Sequence, residues 1–137
     1  MSQIDSISPT FRFHIPVRWG DLDAYNHVNN ASYLRYLEEA RVQWLRTFIT
    51  DWDSVSAAPV MAAVQLNYRV PIGWPAEVVV TQSIERLGNT SVTIGHRIES
   101  EDGSVLHADG HVVLVWIDRA SGQAVPLPER LRTAIAN

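Results

Sequence analysis

The densest collection of reactive side chains in this sequence is one run, Arg18-Trp19-Gly20-Asp21-Leu22-Asp23-Ala24-Tyr25-Asn26-His27-Val28-Asn29-Asn30. It sets two carboxylates, an imidazole and the residues Asn29 and Asn30 immediately ahead of a helical pattern. A carboxylate held beside a carbonyl group can attack it, or can take a proton from a water that attacks instead. The first turn of a helix adds unpaired backbone N–H groups and the positive end of the helix dipole, which polarise a carbonyl and hold a developing oxyanion. The donors nearest the run are the amides of Asn30 and Ala31. Asp21 and Asp23 alternate, so in an extended stretch their side chains point to opposite sides and only one faces a substrate. Each residue also has a plainer explanation. Asp23 could simply accept backbone hydrogen bonds at a helix start, capping accounts for the side chains of Asn29 and Asn30, and His27 either shapes a pocket or fills its loop.

Positioning these groups requires a strand before the run and a helix after it. Residues 11–19 alternate, with Phe11, Phe13, Ile15, Val17 and Trp19 on one face, which is the period of a half-buried strand. The spacing of Leu34, Leu37, Ala40, Trp44, Leu45 and Phe48 predicts a helix from Asn29 or Asn30 to about Ile49. Beyond a loop at 51–59, strands are expected at 60–70, 77–87, 91–100 and 105–118. Turn residues at 73–75, 88–89, 102–103 and 121–122 separate them, so consecutive strands should be antiparallel hairpin neighbours. A short helical turn at 128–134 closes the chain. Five strands about 4.8 Å apart are more than twice as wide as one helix. The sheet must therefore curl around the helix, and apolar surface and a sheet edge remain for a second copy to cover.

Composition narrows the chemistry. The length of 137 residues suits one domain spanning 1–137. With no cysteine, disulfides, thiolate metal sites and a cysteine nucleophile are excluded, and a cytoplasmic setting is expected. The polar segment 1–9 lacks the basic and apolar pattern of a secretory signal. A net charge of −4 argues against nucleic acid, which needs a basic stripe. No run approaches the roughly 20 apolar residues that span a bilayer. No glycine-rich phosphate loop or nucleophile-elbow serine is present. His107, Asp109 and His111 share one face of a predicted strand and could in principle hold a metal, but no further ligand is evident, so neither a metal nor a cofactor is expected.

The run Trp-Gly-Asp-Leu-Asp, followed by His-Val-Asn-Asn and by Tyr33, resembles the 4-hydroxybenzoyl-CoA thioesterase-like branch of the hotdog superfamily, and the similarity continues through Leu66-Asn67-Tyr68-Arg69 and Pro71 to the Asp118 turn. The resemblance implies an α+β hotdog fold, with one long central helix wrapped by a curled antiparallel sheet of about five to six strands. It also implies a homodimer or a dimer of dimers that hydrolyses an acyl-CoA or acyl carrier protein thioester. Carried over residue by residue, it makes Asp23 the nucleophile or general base and Asn30 the source of the polarising amide. Tyr25 stands where related plant enzymes have an Asn, so His27 is given a supporting role. Tyr25, Tyr33, Arg69 and Arg86 are the expected substrate contacts. Arg86 alone stands near the turn where the founding enzyme of the branch has a basic cluster, and Arg97 is a further candidate for the nucleotide. The rival readings are a non-catalytic acyl-thioester binding protein and a hotdog-fold enoyl-CoA hydratase, although this run lacks the Asn-Pro of the hydratase pattern.

Overall fold

The computed structural model describes residues 11–51 and 56–136, so the polar segment 1–9 lies outside the described residues. Strand β1 (Phe11–Pro16) turns Phe11, Phe13 and Ile15 inward. It ends three residues earlier than its alternation predicts. Pro16 has no N–H to extend the ladder, and a 3-10 turn over Trp19–Asp21 follows, closed by Asp21 N–H donating to the Arg18 carbonyl at 2.9 Å. Trp19 is thereby swung off the inner face on which it was expected, and is 73% exposed.

Helix α1 (Asn30–Leu45) starts where Asn29 caps it, its side-chain oxygen accepting the Ala31 N–H at 2.7 Å. Tyr33, Leu37, Ala40 and Trp44 recur at helical spacing on the face that meets the sheet. The helix stops short of the expected Ile49. Thr47 supplies the reason: its hydroxyl donates to the Trp44 carbonyl at 2.6 Å and its amide to the same oxygen at 3.0 Å, which closes the last turn.

Strands β2 (Ala57–Tyr68), β3 (Glu77–Leu87), β4 (Ser91–Ser100) and β5 (Leu106–Asp118) complete one five-stranded antiparallel sheet in the order β1-β3-β4-β5-β2. The hairpins β3–β4 and β4–β5 are those that the turn residues predict. The expected pairing of β2 with β3 is not formed. That side of β3 is taken by β1, with Phe11 opposite Gln82 and Ile15 opposite Val78, and β2 instead pairs with β5 at the far edge. Gly110 permits the close passage of β2, because a Cβ there would lie 1.9 Å from the Gln65 carbonyl oxygen. Helix α2 (Glu129–Ala136) packs Leu131 against one end of the core.

The core has two apolar halves beneath α1, one around Leu37, Ile72, Val80 and Ile98, the other around Trp44, Ile94, Val112 and Trp116. Between them lies a polar layer. Gln82 and His96 are cross-strand partners buried in the sheet, and Arg41 is buried on the helix. This arrangement of a central helix wrapped by a curled antiparallel sheet is the hotdog fold. Among the described residues no helix is long and apolar enough to cross a membrane.

Candidate active site

The run between β1 and α1 folds as a tight loop clamped onto the core. Leu22 and Val28 face each other in an isolated bridge, the Asp23 N–H donates to the His27 carbonyl at 2.8 Å, and the Asn26 N–H donates to the Asp23 carbonyl at 3.1 Å. Asn26 takes the left-handed conformation at the tip (φ 64°), which asparagine tolerates better than most residues. Val28 is buried, and its N–H donates to the Ile72 carbonyl at 2.9 Å, tying the loop to the segment between β2 and β3.

The two aspartates face different surroundings. Asp21 Oδ2 accepts the Arg18 N–H at 3.0 Å and the Tyr36 hydroxyl at 2.7 Å, while its carbonyl accepts the Asn29 N–H at 2.8 Å. It braces the loop and lines a separate cavity on the β1 side of the helix. Burial and this bond to Asp21 push the Tyr36 hydroxyl far above its ordinary pKa, so it stays a donor. Asp23 spends one oxygen, Oδ1, on the Tyr25 N–H at 2.8 Å. Its Oδ2 has no hydrogen-bond partner among the described residues.

Asp23 lines a cavity of ≈ 340 Å³ together with Tyr25, His27, Val28, Asn30, Tyr33, Tyr68, Arg69, Val70 and Pro71. Of the residues singled out in the sequence, this brings together Asp23, Tyr25, His27, Asn30, Tyr33 and Arg69. Arg86 does not line the cavity. It lies in β3 opposite Thr93, beside the β3–β4 turn.

The helix start is more selective than the sequence implies. The Ala31 amide, expected as a second donor, is taken by the Asn29 side chain, and the Ser32 amide donates to the Asn29 carbonyl at 2.8 Å. Among the described residues the Asn30 amide has no such partner, and it is the free donor of the first turn.

Tyr68, Val70 and Pro71 were not foreseen as site residues. The Tyr68 hydroxyl donates to the Asn30 carbonyl at 3.0 Å, and its ring packs edge-on to Tyr33 with centroids 4.8 Å apart. Tyr33 is both a core residue and part of the cavity wall. Burial pushes its hydroxyl above the ordinary value against the opposing effect of a hydrogen bond with the Ile72 backbone. Arg69 Nε donates to Asp109 Oδ1 at 3.0 Å. Burial raises the Asp109 carboxyl, but its bonds with Arg69 and Asn67 outweigh that and hold it below the usual carboxylate range.

His107, Asp109 and His111 form no ligand cluster. His107 Nδ1 is engaged by the Val70 carbonyl at 2.8 Å and Asp109 by Arg69 and Asn67. Among the described residues the group whose ligand atoms lie close enough to share a cation is His14, Glu77 and Glu101, outside this cavity.

Residues 17–135 match the family model of the thioesterase-like superfamily. The chain is similar to the long-chain acyl-CoA thioesterase FadM of Escherichia coli (strain K12), with 33% identity over 120 residues covering 86% of this chain and 91% of that protein. Among solved structures it resembles the PA2801 protein of Pseudomonas aeruginosa, at 40% identity and a TM-score of 0.88 over 93% of this chain and 99% of the other. It also resembles a thioesterase from Thermus thermophilus, solved in complex with coenzyme A and Zn, at 34% identity and a TM-score of 0.80 over 93% and 92% of the two chains.

Proposed function

Because the chain belongs to the thioesterase-like superfamily and is an acyl-CoA thioesterase by that kinship, we propose that it hydrolyses acyl-CoA in the cavity between Asp23 and the start of α1. The observation that carries this reading is the pairing, in one cavity, of a carboxylate with an uncommitted oxygen and a helix whose free amide belongs to Asn30. The thioester carbonyl accepts the Asn30 N–H, where the helix dipole stabilises negative charge as the carbonyl carbon becomes tetrahedral. Asp23 then acts in one of two ways. As a nucleophile its carboxylate adds to the carbonyl carbon and the C–S bond breaks, leaving a mixed anhydride and a CoA thiolate, and water then cleaves the anhydride to the free acid. As a general base it takes a proton from the water that attacks, and the thiolate leaves with a proton. His27 supports the loop from its carbonyl side, and Tyr25 with Arg69 frames the mouth.

Two further features support the reading. The inward-facing residues of β2 continue the apolar wall away from Tyr68: Val64 is 39% exposed and Met61 46%. This suits an aliphatic acyl group, and a long-chain acyl-CoA is the substrate in the name of the Escherichia coli relative. In addition, β2 is an edge strand of twelve residues with no charged side chain. Edges of that kind invite pairing with another chain, and a homodimer joined along β2 would cover the apolar wall and close the acyl site.

The test is thiol release from a panel of acyl-CoAs of increasing length and of aromatic acyl-CoAs. Turnover is expected, with preference for long aliphatic chains. No thiol release from any member would reject hydrolysis in favour of a binding role, and loss of enoyl absorbance without thiol release would indicate hydration. Single-turnover hydrolysis in heavy-oxygen water separates the two roles of Asp23, because label in its side chain follows only from direct attack.

A further inference from the structure

One wall of the cavity is a strap rather than a strand. After Tyr68 the chain leaves the sheet, and Arg69, Val70 and Pro71 line the cavity before Ile72 receives the N–H of Val28 from the catalytic loop. Left to itself this strap would be poorly held: Pro71 has no N–H to donate, and the ladder between β2 and β5 ends at the pair Tyr68 and Ala108. The neighbouring residue of β5, His107, supplies the missing attachment twice. Its carbonyl accepts the N–H of Arg69 at 2.8 Å and that of Val70 at 3.2 Å. Its ring Nδ1 lies 2.8 Å from the Val70 carbonyl oxygen. A carbonyl can only accept, so Nδ1 carries the proton and donates. His107 is only 9% exposed, so this bond is shielded from competing water. Asp109, two residues along the same strand, holds the Arg69 side chain.

We propose that His107 is a positioning residue for thioester hydrolysis, fixing the strap that lines the cavity with Asp23 and carries the carbonyl that receives the catalytic loop. This rests on the reading of the cavity as the thioester site. The main-chain half of the clasp is available to any residue at position 107. The side-chain half needs an N–H at the reach of an imidazole Nδ1, which asparagine offers and alanine does not. The role is therefore distinguishable from simple filling of space.

The experiment compares the full-length wild type with His107→Ala and His107→Asn, measuring kcat and KM on an acyl-CoA at a temperature well below the melting point of every variant. Misplacement of a wall by a fraction of an ångström to an ångström is felt mainly in orientation, so His107→Ala is expected to lose on the order of tenfold or more in kcat/KM, chiefly in kcat. His107→Asn should recover most of that loss even where its melting temperature matches that of His107→Ala. Full activity in His107→Ala, or equal losses in the two variants, would overturn the inference while leaving the hydrolase reading in place. A wild type that releases no thiol would overturn the hydrolase reading itself, and this inference with it.

Discussion

At the scale of single residues, the site depends on which backbone donors are already committed. Asn29 takes the Ala31 amide for its own cap, which in the proposed mechanism leaves the Asn30 amide to face the substrate. Replacing Asn29 by alanine removes the cap and should cost about 1 kcal/mol, read in a thermal melt as a fall of roughly 3–5 °C for a chain of this size. Asn29→Asp should keep both cap and melting temperature, and an unchanged melt in Asn29→Ala would show that the bond contributes nothing. Much of this was legible in the sequence, because Asp23, Tyr25, His27, Asn30 and Tyr33 lie within one loop and the first turn of one helix, where spacing dictates neighbourhood. Tyr68, Val70 and Pro71 were not legible. They come from some forty residues away and reach the cavity only because β2 lies beside β5, which no local pattern encodes. The Asn30 amide was foreseen as the polarising donor, but the commitment of its expected companion, the Ala31 amide, was not, because both Asn29 and Asn30 could cap and only the structure shows which one does.

Among the elements, the polar layer between α1 and the sheet contains a pH-sensitive group. Burial, then the nearby positive charge of Arg41, and then His111 pull the His96 imidazole down to about 4. The unfolded chain binds that proton near pH 6.5 while the folded chain resists it. Stability attributable to His96 is therefore complete above about pH 6.5, falls as pH drops from there towards 4, and levels off below. The loss is on the order of 3 kcal/mol at most. Chemical denaturation at pH 7 and pH 4.5 should show a smaller pH dependence in His96→Gln than in the wild type, and an equal dependence would rule out this origin. The elements themselves were largely legible: β3 and β4 begin and end where the alternation and turn residues place them. The order of the strands was not, because hairpin logic pairs β2 with β3 and takes no account of β1 having already filled that edge. Trp19 shows the same limit on a smaller scale, since alternation runs on through Pro16 in the sequence whereas the backbone does not.

For the molecule as a whole, the proposed acyl site is completed by a second copy along the β2 edge. Val64 and Met61 face inward yet remain open to solvent in one chain, a position that makes sense if another chain covers them. Val64→Lys places a charge in that seam and should weaken association by on the order of a hundredfold or more, visible by sedimentation as a shift from dimer to monomer with accompanying loss of thiol release. A wild type that sediments as a monomer and is fully active would refute the seam. In the proposed mechanism Asp23 works with the Asn30 amide on a thioester carbonyl. Its most direct test is single-turnover thiol release from a long-chain acyl-CoA by wild type and Asp23→Asn. Asparagine keeps a side-chain oxygen to accept the Tyr25 N–H but is neither a base nor a competent nucleophile. Asp23→Asn should fold and melt like the wild type while its rate constant falls by about 10²–10⁴-fold, and a rate within a few fold of wild type would contradict this mechanism.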